Sequence, residues 1–169
     1  AKIKVISTSA KFTLRISDIH LTTVTSADPS TLIHLSHPDT LLEQIDKVSV
    51  LTLRNCMQDV FEDGPKRDRR LWLGDLRLQA LVNYQTYGQN DLIRRCLYLF
   101  AGVTREVGMV SSNLFMKPEV IADDTFLLDY ALFFVETLAD YIAATDDATT
   151  LKDLWPTAVR QIELALERV

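Results

Sequence analysis

The chain has 169 residues, 47% of them hydrophobic and 24% charged, with a formal net charge of -5. That length supplies one domain with a sizeable core, and the composition excludes intrinsic disorder, collagen-like repeats and low-complexity sequence. The acidic balance gives no general attraction to nucleic acid or to an anionic membrane, and no stretch reaches the roughly 18 apolar residues of a membrane span.

The start, Ala1-Lys2-Ile3-Lys4, has no signal-peptide core, so a cytoplasmic protein is expected. Cys56 and Cys96 lack a CxxC partner or a histidine at zinc-ligand spacing, which argues against a disulfide framework and a structural zinc site. The missing initial Met and the helical period running to Val169 lead to the expectation of a piece of a longer protein.

Residues 3 to 25 are rich in Val, Ile and Thr and alternate at Phe12, Leu14 and Ile16, which predicts two or three short strands. Turn chemistry at Ala27-Asp28-Pro29-Ser30 follows. Ser36, Pro38 and Asp39 then read as a helix start, dividing a short β segment (residues 1–35) from a helical part (36–169). The first helix shows Leu41, Ile45, Val48 and Leu51 at steps of three and four and is expected to reach about Val60. A loop from Glu62 to Gly74 separates it from a helix capped by Asp75 and ended by Gly88.

The next helix runs from Asn90 to about Val107, with Leu92, Cys96, Phe100 and Val103 on one side. Residues 108–122 have no period and form a long excursion of the kind that compact domains keep for a use. Asp123 or Asp124 caps a helix with Leu127, Tyr130, Phe134, Leu138 and Tyr141 in register, and the last helix, from about Thr150, carries Leu151, Trp155, Val159, Ile162 and Leu166. Five helices without a fixed repeat predict a mainly α fold of antiparallel hairpins.

The informative stretch is Glu62-Asp63-Gly64-Pro65-Lys66-Arg67-Asp68-Arg69-Arg70-Leu71-Trp72-Leu73-Gly74-Asp75. Acids, arginines and a tryptophan in a Gly/Pro-bounded loop can converge on one cavity. Paired carboxylates and guanidinium groups suit sugar hydroxyls, an indole face suits the apolar side of a pyranose, and a carboxyl group can protonate a glycosidic oxygen. Two other readings stay open from composition: a solvated, salt-bridged connector, and a phosphate or nucleic-acid patch at Lys66, Arg67, Arg69 and Arg70, whose field the neighbouring acids oppose. No glycine-rich phosphate loop is present. His20, His34 and His37 read as surface or capping residues and the two cysteines as core.

Asp63-Gly64-Pro65-Lys66-Arg67-Asp68, followed by Trp72-Leu73-Gly74-Asp75, closely resembles the active-site motif of the bacterial α-L-rhamnosidases of glycoside hydrolase family 78. The similarity extends from Leu51-Thr52-Leu53-Arg54-Asn55-Cys56 through Asn83-Tyr84-Gln85 to Asp129-Tyr130-Ala131-Leu132. The resemblance implies an inverting glycosidase built on an (α/α)6 barrel, of which this chain holds the end of a β-sandwich and the first part. It implies a rhamnose-containing glycoside as substrate, with no metal or other cofactor.

Residue by residue, it implies that Asp63, Arg67, Asp75 and Asp129 lie at the rhamnose, that Trp72 walls its methyl group and that Asp68 is the general acid. At that position the family most often has Glu. A general acid has to hold its proton near neutrality, which the carboxylates of Asp63 and Asp75 favour and Arg67 opposes. An inverting enzyme also needs a second carboxylate to activate water. Glu136, Glu163 and Glu167 all fall within helices, so the base is expected outside this chain, and the rest of the barrel, or a second copy of the chain, is the expected partner. The alternative from another class is a non-catalytic helical domain that binds carbohydrate or protein.

Overall fold

The computed structural model describes residues 3–7, 9, 11 and 13–168. Five helices are present among them: α1, Thr40–Cys56; α2, Leu73–Gln85; α3, Asn90–Gly102; α4, Leu128–Thr145; and α5, Ala148–Leu166. Three short strands, β1 (Leu71–Trp72), β2 (Asn113–Phe115) and β3 (Ile121–Ala122), form one antiparallel sheet in the order β1-β2-β3. No described helix is long and apolar enough to cross a membrane.

Helix α4 is the centre of the molecule. In 18 residues it carries three acids and no basic residue, and Ala131, Phe134, Thr137, Leu138 and Tyr141 are buried. A helix apolar over most of its circumference has to be surrounded, and α4 packs against α2, α3 and α5. Helices α2 and α4 run parallel. Trp72 meets Tyr130 at their N-terminal ends with ring centroids 6.2 Å apart, Arg77 Nε lies 2.9 Å from Glu136 one level down, and the Asp140 charge reaches the Tyr84 phenol further along.

The outer helices α3 and α5 are likewise parallel to each other, with Arg94 3.9 Å from Asp147 and the Tyr98 hydroxyl donating to Asp153 at 2.7 Å. Each of α2 and α4 therefore turns back into an outer partner, giving two antiparallel hairpins, α2/α3 and α4/α5, with α1 lying beside α2. The turns suit the reversals: Gly88 and Asp146 take positive φ, and Asp147 accepts hydrogen bonds from the Thr150 amide and hydroxyl at the start of α5. One of the orphan amides at that helix end is thereby satisfied locally.

Several element boundaries differ from the sequence expectations. Helix α1 is capped by Asp39, not Ser36, and ends at Cys56; α2 starts at Leu73, placing Asp75 inside its first turn instead of at its cap. Helix α3 ends at Gly102 and α4 begins after Leu127, leaving Asp123 and Asp124 in the preceding loop. The 108–122 excursion contributes β2 and β3, too short to show a period of their own.

The strands predicted over residues 3–25 are not formed by the described residues of that segment, and Phe12 lies outside the described residues. Ile6, Leu14, Leu21 and Val24 are exposed. A strand needs a ladder partner, and nothing among the described residues pairs with this segment. Only its end is tied down: the Ser26 amide donates to the Met57 carbonyl at 2.9 Å, and Ala27 is buried.

Candidate active site

The 62–72 loop is folded by its own residues. The Asp63 amide donates to the Arg70 carbonyl at 2.8 Å, and Gly64, at φ +56°, turns the chain so that the Arg67 amide reaches the Gly64 carbonyl at 2.6 Å. A Cβ on Gly64 would lie 3.0 Å from Asp68 Oδ1 and 3.1 Å from Arg67 Nε, so only glycine combines this φ with such close side chains. Strand β1 then pairs with β2 (Leu71 opposite Leu114) and leads directly into α2, and Arg70 is clamped between Asp123 at 3.2 Å and the Phe115 ring at 4.0 Å.

This scaffold brings five of the six candidate residues into one unit. Arg67 Nη2 donates to Asp63 Oδ2 at 2.7 Å, and its Nε lies 3.3 Å from Asp68 Oδ1 without hydrogen-bond alignment. Asp68 Oδ1 is consequently buried with no donor among the described residues, while Oδ2 accepts from Trp72 Nε1 at 3.3 Å. Burial, reinforced by the charges of Asp63 and Asp68, pushes the Asp75 carboxyl up, with the helix backbone and Arg67 pulling the other way. Asp129, the sixth, is exposed on the first turn of α4 and accepts from the Tyr130 amide at 3.0 Å.

Tyr130, in helical register with Phe134 and Leu138, packs against the core and also reaches the site. Its ring stands edge-on to Trp72, and its phenol is raised first by burial and then by the charges of Asp75, Asp129 and Asp63. It therefore stands among the carboxylates. The spacing that put it in line with Phe134 and Leu138 is correct, but the first turn of α4 reaches past the core into the loop. The polar clamp of Asn113 and Asp123 was also missed. Asp123 accepts from Asn113 Nδ2 at 3.0 Å and Thr125 Oγ1 at 3.2 Å, and those bonds, Asn113 foremost, hold it below the usual carboxylate range. No local signal marks that clamp, because it exists only when β2 and β3 pair.

Three of the four residues of the basic-patch reading are engaged within the site, which leaves the exposed Lys66. Arg67 and Arg70 are spent on Asp63, Asp68 and Asp123, and Arg69 Nε donates to the Pro65 carbonyl at 2.8 Å. The late glutamates are also engaged: Glu136 with Arg77, Glu163 and Glu167 with Arg160 at 3.2 and 3.1 Å. Cys56 and Cys96 are free and buried, the Cys96 thiol pushed up to about 12 by burial.

Parallel inner helices whose N-termini meet beneath an acid- and arginine-bearing loop, each backed by an antiparallel outer helix, define a domain built of helical hairpins with the charged cluster at one end. The family model described as the bacterial alpha-L-rhamnosidase 6 hairpin glycosidase domain matches residues 32–168, and the chain belongs to that family. It is similar to a rhamnosidase from Klebsiella oxytoca solved with rhamnose bound, at 64% identity and TM-score 0.80 over 82% of this chain and 27% of that one. It is also similar to a GH78 family rhamnosidase of Bacillus sp. GL1, at 28% identity and TM-score 0.70 over 78% of this chain and 13% of that one. The chain thus spans about a quarter or less of the length of these solved relatives. No curated protein matches it.

Proposed function

We propose that the protein to which these residues belong is an inverting glycosidase that removes terminal α-L-rhamnose from a glycoside. The observation that carries the reading is the single cluster of Asp63, Arg67, Asp68, Trp72 and Asp75 over the N-terminal ends of α2 and α4. Asp63, Arg67, Asp75 and the rim residue Asp129 offer hydrogen bonds to the sugar hydroxyls, and Trp72, braced by Tyr130, offers an apolar wall. Asp68 is the general acid of this proposal, held in the cluster between Arg67 and Trp72.

In the reaction, water adds to the anomeric carbon as the bond to the leaving oxygen breaks; the Asp68 proton goes to that oxygen and the water's proton to a carboxylate base. The base is proposed to come from a part of the barrel outside this chain. A cytoplasmic location is also proposed, consistent with two unpaired thiols, and cell fractionation tests it.

Turnover of a chromogenic α-L-rhamnoside by full-length protein tests the activity. Asp68→Asn is expected to lower kcat/KM by about a hundredfold or more, the scale of lost acid catalysis, and Asp63→Asn by about tenfold or more, the scale of a lost charged hydrogen bond to the sugar. Cleavage of a different glycoside alone would overturn the substrate and leave only the hydrolase class. Rhamnose binding without turnover, unaltered by Asp68→Asn, would favour a carbohydrate-binding domain instead.

A further inference from the structure

A line of side-chain contacts runs from Asp68 to the start of α4. Asp68 Oδ2 accepts from Trp72 Nε1 at 3.3 Å, while Oδ1 has no hydrogen-bond donor among the described residues, Arg67 Nε lying 3.3 Å away but out of alignment. The indole N–H is therefore the hydrogen bond that orients this carboxyl. Trp72 is half-buried at the end of β1, so pairing with β2 fixes its backbone and side-chain contacts set its ring. Tyr130 supplies such a contact, with ring centroids 6.2 Å apart and ring planes at 82°. Tyr130 is itself seated from two directions. Phe133 lies 5.8 Å from it on α4, and the Gly74 backbone approaches so closely that a Cβ there would stand 2.7 Å from the tyrosine Cζ.

We infer that Tyr130 is a positioning residue: by seating the Trp72 indole it sets the direction of the Asp68 carboxyl, and with it the delivery of the proton to the leaving oxygen. The inference rests on the glycosidase reading above, which takes Asp68 to be the general acid.

General acid catalysis needs the carboxyl within hydrogen-bond reach of the leaving oxygen, and a misplacement of about 1 Å costs up to about a hundredfold in rate. The indole N–H donates and does not titrate, so it orients the carboxyl without exchanging a proton with it. Arg67 does not take over that task, because its Nη2 is committed to Asp63 at 2.7 Å and its side chain is largely exposed. Edge-to-face aromatic pairs have a preferred geometry that an aliphatic side chain of similar volume lacks. Phenylalanine at position 130 keeps the ring contacts with Trp72 and Phe133; leucine loses them.

The test separates proton delivery from sugar binding. Full-length protein is assayed with phenyl α-L-rhamnoside, whose leaving oxygen needs the proton, and with a dinitrophenyl α-L-rhamnoside, whose phenolate departs with little help. Contacts to the rhamnose are common to both substrates and cancel in the ratio of the two kcat/KM values. Tyr130→Leu should lower the phenyl-to-dinitrophenyl ratio about tenfold or more, and Trp72→Phe, which keeps a ring but removes the N–H, should do the same. Tyr130→Phe should hold the ratio within about threefold of wild type. Adding Tyr130→Leu to Trp72→Phe should lower it no further, because Tyr130 acts through Trp72.

A ratio unmoved by Trp72→Phe, or by folded Tyr130→Leu, overturns the inference. So does a fall in Tyr130→Phe as large as in Tyr130→Leu, which would make the hydroxyl the working group. Asp68→Asn keeps the two readings apart. If it leaves the ratio unchanged, Asp68 is not the acid and the assignment beneath the inference fails first. If it lowers the ratio and Tyr130→Leu does not, the acid stands and only the inference falls. If wild-type protein cleaves neither rhamnoside, the glycosidase reading fails and takes the inference with it.

Discussion

Asp75 combines two opposed demands. As the third residue of α2 it sits where helix amides favour a negative charge, yet burial and the carboxylates of Asp63 and Asp68 raise its pKa from the ordinary 3.8. A carboxyl raised on folding makes the native state bind the proton more tightly. Its contribution to stability is therefore greatest in acid and declines as pH rises from the unfolded value through the higher folded one. Asp75→Asn is expected to raise the urea midpoint near pH 7, with the gain shrinking below about pH 4, where Asp is protonated in both states. The same variant should lower kcat/KM of the full-length protein about tenfold or more, so stability and activity move in opposite directions. Denaturation at the two pH values and rhamnoside kinetics check the two halves separately.

At the scale of elements, two contacts hold the site's supports in place. Gly74, at the second position of α2, lies against Tyr130 of α4: a Cβ there would be 2.7 Å from Cζ and 2.9 Å from the hydroxyl of that ring. Alanine is normally better than glycine within a helix by about 1 kcal/mol, but a ring wedged between Trp72 and Phe133 cannot yield without moving the wall of the site. Gly74→Ala should therefore destabilise the protein by about 1–3 kcal/mol, and Tyr130→Leu in the same background should recover part of it in thermal melts. The second contact ties the 103–112 segment to α5. Buried Gln161 accepts from the Val110 amide at 3.0 Å and donates to the Gly108 carbonyl at 2.9 Å. Gln161→Leu leaves both groups unsatisfied, at about 1–3 kcal/mol for each, and should appear as a lower urea midpoint with faster amide exchange in that segment.

Over the whole molecule, the distribution of apolar surface is uneven. Leu41, Ile45, Val48 and Leu51 of α1 are 62%, 53%, 65% and 52% exposed, while the opposite side of the helix buries Val50, Leu53 and Cys56. Trp155, Ile162 and Leu166 on α5 are exposed in the same way, with Leu154, Ala158 and Leu164 buried. In a toroid each hairpin covers the next, and these outward stripes have no neighbour among the described residues. The 169 residues alone are therefore expected to bind a hydrophobic dye, to self-associate and to show no rhamnoside turnover. Ile45→Lys with Val48→Lys should reduce association, as read by light scattering, while each exposed change alters stability by no more than about 0.5 kcal/mol. A monodisperse, dye-silent chain would show that these stripes are not adhesive.

The sequence by itself determined the helical class, the existence of all five helices and the crowding of acids, arginines and a tryptophan into the 62–75 loop, because helical period, glycine placement and a dense motif are properties of neighbouring residues. Leu92, Cys96 and Phe100 were legible as core for the same reason, since α3 has one apolar face and that face is buried. Tertiary structure alone decided which stripe of α1 and α5 turns inward. Both helices are apolar on more than one side, and only the position of α2 and α4 selects Leu53 over Ile45 or Leu154 over Trp155. It also decided the place of Tyr130 among the carboxylates and the joining of Arg70, Asn113 and Asp123, partners as far as 53 residues apart that meet through the pairing of β1, β2 and β3. Contacts of that separation leave no local signature, because each side chain's local pattern is equally compatible with solvent.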